Sequence, residues 1–205
     1  MVYQRLRGAL ASGDLKSGER LMEVEVAQWL NVSRTPVRDA LRRLESEGMV
    51  TLEPRAGLVV ASISRQAMLE LYVMREVLEG TAARLCAQHA TDTEIMELEE
   101  LVRHERRLQG NFEALVRHNR LLHEAVHRGA HNRYLEKSLA AVNDTMYLLG
   151  PSLMLQAGRA ESARLEHKGL FLCIQKKDPD GAEAAARHHV RSAQQQRLKN
   201  LFPSV

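Results

Sequence analysis

Apolar residues along this chain recur mainly at helical spacing. Val2, Leu6 and Leu10 share one face, and the stretch from Gly13 to Gly18 then breaks the pattern. Leu21, Val26, Ala27 and Leu30 make a second stripe over residues 19–30. Val37, Leu41 and Leu44 make a third, on a helix predicted from Ser33 to about Glu47. Ser33 is placed to cap that helix with its hydroxyl. Pro36 falls in the first turn, where a missing N–H breaks no helical bond, and Gly48 stands where glycine closes a helix. Two short β-rich runs, MVTLE and LVVAS, then flank the turn PRAG, which signals a hairpin. Three helices followed by a two-stranded hairpin predict a winged helix-turn-helix over residues 1–60.

After a linker at residues 61–63, long helical periodicity takes over. A helix from Ser64 to Gln88 turns Met68, Leu71, Tyr72, Leu78 and Leu85 inward. Thr91 with Glu94 forms a capping-box pattern ahead of Ile95, Leu98, Leu101 and Val102. Asn111 opens a helix to about Arg128, and Asn132 opens one that is bent or broken at Gly150 and Pro151. The fifth spans about Ala160 to Lys176, and Asp178 with Pro179 caps the sixth, to about Asn200. The predicted fold class is therefore mostly α: a winged helix-turn-helix, then an antiparallel all-α helical bundle over residues 64–205.

Composition narrows the partners. No apolar run is long enough to span a bilayer and the N-terminus lacks a signal-peptide core, so a cytoplasmic location with no membrane partner is expected. Cys86 and Cys173 are far apart and outside any CxxC spacing, and both read as buried small hydrophobes. The net charge of +3 is mild. Its distribution is more telling: between Ser33 and Arg43 four arginines face one acid, Asp39. Aromatics are 4% of the chain, too few for base-stacking platforms, so duplex DNA is favoured over single strands. Arg34, Arg38 and Arg42 make one basic edge on a helix of the kind that a major groove admits. Taken alone, the same pattern also fits an ordinary amphipathic helix with a solvated charged face.

The segments LKSGERL, VAQWLNVSRTPVRDALRRLESEGMV and PRAGLVV together resemble the N-terminal domain of the GntR family of bacterial transcription regulators. The resemblance implies that Arg34, Thr35 and Arg38 contact the groove and phosphates, with Ser33 beside a phosphate and Arg55 and Gly57 at the wing tip. Arg42 continues the basic edge. Some relatives carry arginine in the second helix where this chain has Val24, which removes one such contact. Homodimerisation on a palindromic operator is expected, because one helix reads too few base pairs for useful specificity.

The second half resembles the FCD-type effector domain of the FadR-like branch of that family, through MREVLEGTAA, NRLLH with GAHN, EHKGLFLCIQKKDPDGAEAA and ARHHV. Among nine histidines, the resemblance singles out His123, His167 and His189 as ligands of one divalent metal, with Asn119 where an Asp is usual. Three imidazoles suit zinc, nickel or another late first-row ion, although an amide brings no charge to offset the dication. A metal-free polar pocket is the alternative. His89, His104, His118, His127 and His131 read as surface or internally satisfied residues. The resemblance also turns Arg75 toward an effector cavity, implying a small organic acid; a salt bridge to Glu76 or Glu79 is the competing account. The whole reads as a ligand-responsive repressor and not an enzyme. The rivals are a metal-dependent enzyme acting on small carboxylates and a constitutive DNA-binding protein. There is no HExxH, and Glu166, adjacent to His167, is expected to point away from the histidines.

Overall fold

A computed structural model of the chain describes residues 1–108, 110–150, 152–156 and 158–202. The chain forms two compact units. One is Met1–Ser64 together with Asn143–Ser152, and the other is Arg65–Val142 together with the chain from Leu153.

The first unit contains α1 (Val2–Ser12), α2 (Glu23–Leu30), α3 (Arg34–Ser46), β1 (Val50–Glu53) and β2 (Gly57–Val60). Its core is the set of stripes seen in the sequence: Leu6 and Leu10 from α1, Val26 and Leu30 from α2, and Val37, Leu41 and Leu44 from α3. Asn31 takes a left-handed backbone (φ 52°), which its short polar side chain tolerates, and so turns the chain between α2 and α3. α3 ends in a Schellman arrangement: Gly48 is left-handed (φ 73°), its N–H donates to the Glu45 carbonyl, and the Met49 N–H donates to that of Leu44. β1 and β2 pair antiparallel, Val50 with Val60 through Glu53 with Gly57, around the turn at residues 54–56.

Two local expectations are corrected. Ser33 occupies the N-cap position of α3 with extended backbone, but its hydroxyl makes no capping bond. The third residue of the helix is Pro36, which has no N–H to donate, so one of the two backbone donors that such a cap can use is missing. α2 begins at Glu23 rather than Glu19, because residues 18–21 are used as a third edge on the wing. Leu21 N–H donates to Leu58, Val60 N–H donates to Glu19, and Arg20 bridges Val59.

The last turn of the seventh helix also belongs to this unit. Arg7 of α1 pairs with Asp144 and lies 4.9 Å from the centre of the Tyr147 ring, while Tyr147 and Leu148 pack on the core. Beside it, the Tyr3 hydroxyl donates to Glu47 at 2.6 Å, and Arg43 sits 3.9 Å from the centre of the Tyr3 ring.

The second unit holds α4 (Arg65–His89), α5 (Asp92–Glu105), α6 (Phe112–Gly129), α7 (Arg133–Met146, to Val142), α8 (Arg159–Gln175) and α9 (Pro179–Leu201). Thr91 and Glu94 make the reciprocal capping box on α5, and the side chains of Asn111 and Asp178 cap α6 and α9. α7 gives way to a 3-10 turn at Tyr147–Leu149, and Gly150 follows with φ 74°; Pro151, the other half of the expected break, lies outside the described residues. Ala83 and Ala87 of α4 share a core with Ala182 and Ala186 of α9, small residues that bring those two backbones close. Gly129 does the same for α6 on α4: a Cβ there would sit 2.7 Å from Cys86 Sγ. Cys86 is buried as expected, whereas Cys173 is only partly covered.

Trp29 is the single tryptophan and lies in the first unit, so its fluorescence reports that unit alone. Leu44 is fully buried there. Leu44→Ala is expected to lower the unfolding free energy read from Trp29 by about 2–5 kcal/mol through lost transfer energy and a cavity. Urea titration checks this, and a shift below about 1 kcal/mol would show that the site collapses around the deletion.

Candidate functional site

Ser33, Arg34, Thr35, Arg38 and Arg42 are all exposed along α3, and Arg55 is exposed in the hairpin turn. Gly57 opens β2 with φ 79°, a conformation that L side chains rarely adopt. Arg34 and Arg38 do not hang free in solvent. Arg38 donates Nε–H to Glu23 Oε1 at 2.8 Å and Nη2–H to Glu23 Oε2 at 2.9 Å, and Arg34 Nη2 reaches the same carboxylate at 3.3 Å. Hydrogen bonding from Arg38, with help from Arg34, pulls the Glu23 carboxyl down to about 2. Val24, next along α2, is exposed and contributes no polar group to this edge.

The second unit carries a buried polar cluster built by five helices. His123 projects from α6, His167 from α8 and His189 from α9, and all three are buried. Their ring centres lie 5.6 Å (123 to 167), 5.2 Å (123 to 189) and 4.8 Å (167 to 189) apart. Each offers one nitrogen to a common group whose atoms all lie within 4.8 Å of one another. The three histidines singled out in sequence thus converge, and each is held from behind by a carboxylate. His123 Nδ1 donates to Glu79 at 3.2 Å, His167 Nδ1 to both oxygens of Glu105 at 3.0 and 3.1 Å, and His189 Nδ1 to Glu166 at 2.6 Å.

The electrostatics set the proton positions. Burial pushes the Glu79 carboxyl up, but His123 and His127 outweigh it and hold it well below the usual carboxylate range. Burial acts upward on Glu166 too, and His189 and Arg159 bring it down to about 2. Burial depresses His123 and lowers His189 to about 3. Ionised carboxylates facing neutral imidazoles accept only, so in the Glu79–His123 and Glu166–His189 pairs the proton resides on Nδ1 and the lone pair on Nε2. The Nε2 atoms of His123 and His167 are buried without a hydrogen-bond partner among the described residues. Asn119 lies one turn before His123 on α6 and is half-buried.

Several of these residues are not visible from sequence spacing. Glu79 and Glu105 come from α4 and α5. Glu166 corrects an expectation: it does not point away but reaches His189 on the neighbouring helix. His127 is internally satisfied as expected, its Nε2 donating to Glu79 at 2.9 Å, and Glu79, His123 and His127 form a second group of converging atoms. His118 is the internally satisfied residue expected, bonded to the Leu101 carbonyl at 2.8 Å. Arg75 forms the ion pair with Glu79 that was the competing account, at 3.5 Å through Nε, although neither Arg75 Nε nor Glu79 Oε1 makes a hydrogen bond among the described residues. Glu76 instead pairs with Arg191 at 2.8 Å. Arg159, which the sequence did not mark, is buried and forks onto Glu166 at 2.9 and 3.0 Å. The carboxylates are engaged in hydrogen bonds that orient the imidazoles.

The architecture defines a class: a winged helix-turn-helix unit joined in one chain to an all-helical unit with a buried three-histidine cluster. The family model described as bacterial regulatory proteins, gntR family, matches residues 1–60, and that of the FCD domain matches residues 70–192. The chain belongs to the GntR family of bacterial regulators and carries an FCD domain. It is 31% identical over 191 residues to the HTH-type transcriptional regulator YdhC of Bacillus subtilis (strain 168), covering 92% of this chain and 84% of that protein. It is 27% identical to the HTH-type transcriptional repressor RspR of Escherichia coli (strain K12), covering 93% and 84%. Among solved structures, E. coli McbR/YncC superposes with a TM-score of 0.79 at 25% identity, covering 98% of this chain and 95% of that one. Among the described residues, no helix is long and apolar enough to cross a membrane.

His167 and Glu105 are each about 1% exposed, so removing one leaves a stranded polar atom. Glu105→Ala is expected to destabilise the metal-free protein by roughly 1–3 kcal/mol, and Glu105→Gln, which keeps an acceptor for Nδ1–H, by less. Thermal unfolding in chelator at neutral pH compares the two; equal losses would assign the cost to packing.

Proposed function

We propose that the protein is a ligand-responsive transcription repressor, acting in the cytoplasm as a homodimer on a palindromic operator, whose helical unit binds a divalent metal and a small organic acid. On the DNA side, α3 enters the major groove. Arg34, Thr35 and Arg38 contact base edges and phosphates, Ser33 sits beside a phosphate with a hydroxyl that no cap consumes, Arg42 follows the backbone, and Arg55 with Gly57 forms the wing contact.

The observation that carries the metal reading is the set of three inward imidazoles, each with Nδ1 occupied by its own carboxylate and two of them with buried, unpartnered Nε2 atoms. Such carboxylate-backed histidines are the usual surroundings of a bound metal, because the carboxylate fixes the tautomer and raises ligand basicity. The donor set fits zinc or another late first-row dication, held by His123, His167 and His189 with the amide oxygen of Asn119 as a fourth donor. When bound, the ion supplies a positive centre for a carboxylate effector. Arg75, partly buried beside Glu79 and without a hydrogen bond from its Nε, is the side chain that would clamp that acid. Effector binding shifts operator affinity only as far as it prefers one conformation over another.

Two measurements test the halves separately. The purified protein, dialysed against a trace of zinc, is expected to hold about one ion per chain by elemental analysis, and His167→Ala to lose it. No bound ion in either would leave a metal-free polar pocket. Arg38→Ala is expected to weaken binding to a duplex selected by the wild-type protein from a random library, and to flatten the dependence of log affinity on log salt by about one unit. Unchanged affinity would remove α3 from the groove.

A further inference from the structure

We propose that Glu23 is a positioning residue for DNA recognition: its carboxylate holds Arg38 by one edge, leaving the other edge to the duplex, and its charge disfavours duplexes that do not supply the matching contact. The inference rests on α3 being the helix that contacts DNA.

The geometry carries it. Glu23 is the first residue of α2, and Arg34 and Arg38 lie one turn apart on α3. The carboxylate takes the side-on edge of the Arg38 guanidinium, made of Nε–H and one Nη2–H. Among the described residues Nη1 makes no hydrogen bond, so Nη1 and the second Nη2 proton form an open end-on fork. That fork is the shape that matches guanine O6 and N7, or two phosphate oxygens. Arg34 approaches the same carboxylate with a single contact, at 3.3 Å, and is less constrained.

Stability does not account for this arrangement. Arg38 is 46% exposed and Glu23 25%, and ion pairs in such surroundings contribute little to folding. Yet an acid directly behind a DNA-facing arginine has a cost, since it lowers the local positive potential that attracts any duplex. The return is order. A free arginine must give up its rotamer freedom when it meets a base, whereas one already held by two charge-assisted bonds has less to lose. The weakened attraction applies to every sequence, while the ordered fork helps only where a base accepts both donors. The net effect is discrimination rather than affinity.

The test uses the full-length protein with two probes: a duplex selected by the wild-type protein from a random library, and a scrambled duplex of the same length. Affinities are read by fluorescence anisotropy at fixed salt. Glu23→Gln is expected to tighten binding to the scrambled duplex by roughly threefold and to lower the selected-to-scrambled ratio by about tenfold. Glu23→Asp keeps the charge but is one methylene shorter, so scrambled binding should stay near wild type while the ratio still falls. A purely electrostatic role would leave the ratio of the Asp variant intact and overturn the positioning role. In an Arg38→Ala background, Glu23→Asp should leave the ratio unchanged, because the side chain it positions is gone. If Arg38→Ala loses the selected duplex while both Glu23 variants hold the ratio within about twofold, the inference is wrong and the DNA-contacting reading of α3 stands. If Arg38→Ala binds the selected duplex as wild type does, that reading fails and this one with it. Unfolding followed on Trp29 confirms that the variants are folded.

Discussion

The helical unit depends on the withdrawal of imidazoles and carboxylates from water at one place. Glu79, Glu105, His123, His127, His167 and His189 are all buried, and an ionised carboxylate in such surroundings is costly unless it finds a donor. The helices around them satisfy this demand in pairs. α4 serves α6 through Glu79, α5 serves α8 through Glu105, and α8 serves α9 through Glu166. No single helix pair can be shifted without stranding a charge that belongs to another. The apolar core follows the same requirement. Alanines along α4 and α9 and a glycine on α6 keep these backbones close enough for short side chains to meet.

The winged unit uses similar ion pairs in a different medium, and so to a different end. Glu23 with Arg34 and Arg38 stands in water, where screening removes most of its contribution to folding. Glu79 stands in the interior, where losing one partner leaves an uncompensated charge. The first pair can exchange its partners for a phosphate or a base at little structural cost. The buried cluster can only gain a partner. A bound cation would satisfy the remaining Nε2 atoms without displacing a carboxylate, as would a hydrogen-bond donor such as water.

Legibility in the sequence followed the range of the physical cause. Local causes were readable: the capping box at Thr91, the Schellman glycine at Gly48, the hairpin around Pro54 to Gly57 and the apolar stripes of α1 to α3. So was the arginine edge, since Arg34, Arg38 and Arg42 follow from helical spacing alone. The three histidines were found by resemblance, not by spacing, because they sit on three helices. The groups behind them were missed for a related reason. Glu166 is adjacent to His167 in sequence, and adjacency on a helix rotates side chains about 100° apart, which was read as separation from the site. That same rotation turns Glu166 toward α9, where His189 waits. The missing cap at Ser33 has a local correlate in the sequence: Pro36 breaks no helical bond, but it also lacks one of the two N–H groups that a serine cap can use.

The formal charges around the histidine cluster bear on what it can bind. With each imidazole counted as neutral, Glu79, Glu105 and Glu166 count formally as three negative charges and Arg75 and Arg159 as two positive ones, a formal sum of one negative charge. A small organic anion would not enter such surroundings by electrostatics. A dication held by the three Nε2 atoms would change the sum to one positive charge, the value that a monoanionic carboxylate neutralises. Asn119 matters in this arithmetic. With an aspartate in its place the dication would bring the surroundings only to neutrality, and the acid would have to bind through hydrogen bonds alone. On the proposed reading the amide would offer a donor oxygen to the metal while leaving the positive charge for the ligand. On the proposed reading metal and acid would depend on each other: the ion would create the charge that attracts the anion, and the anion would complete the neutralisation of the ion.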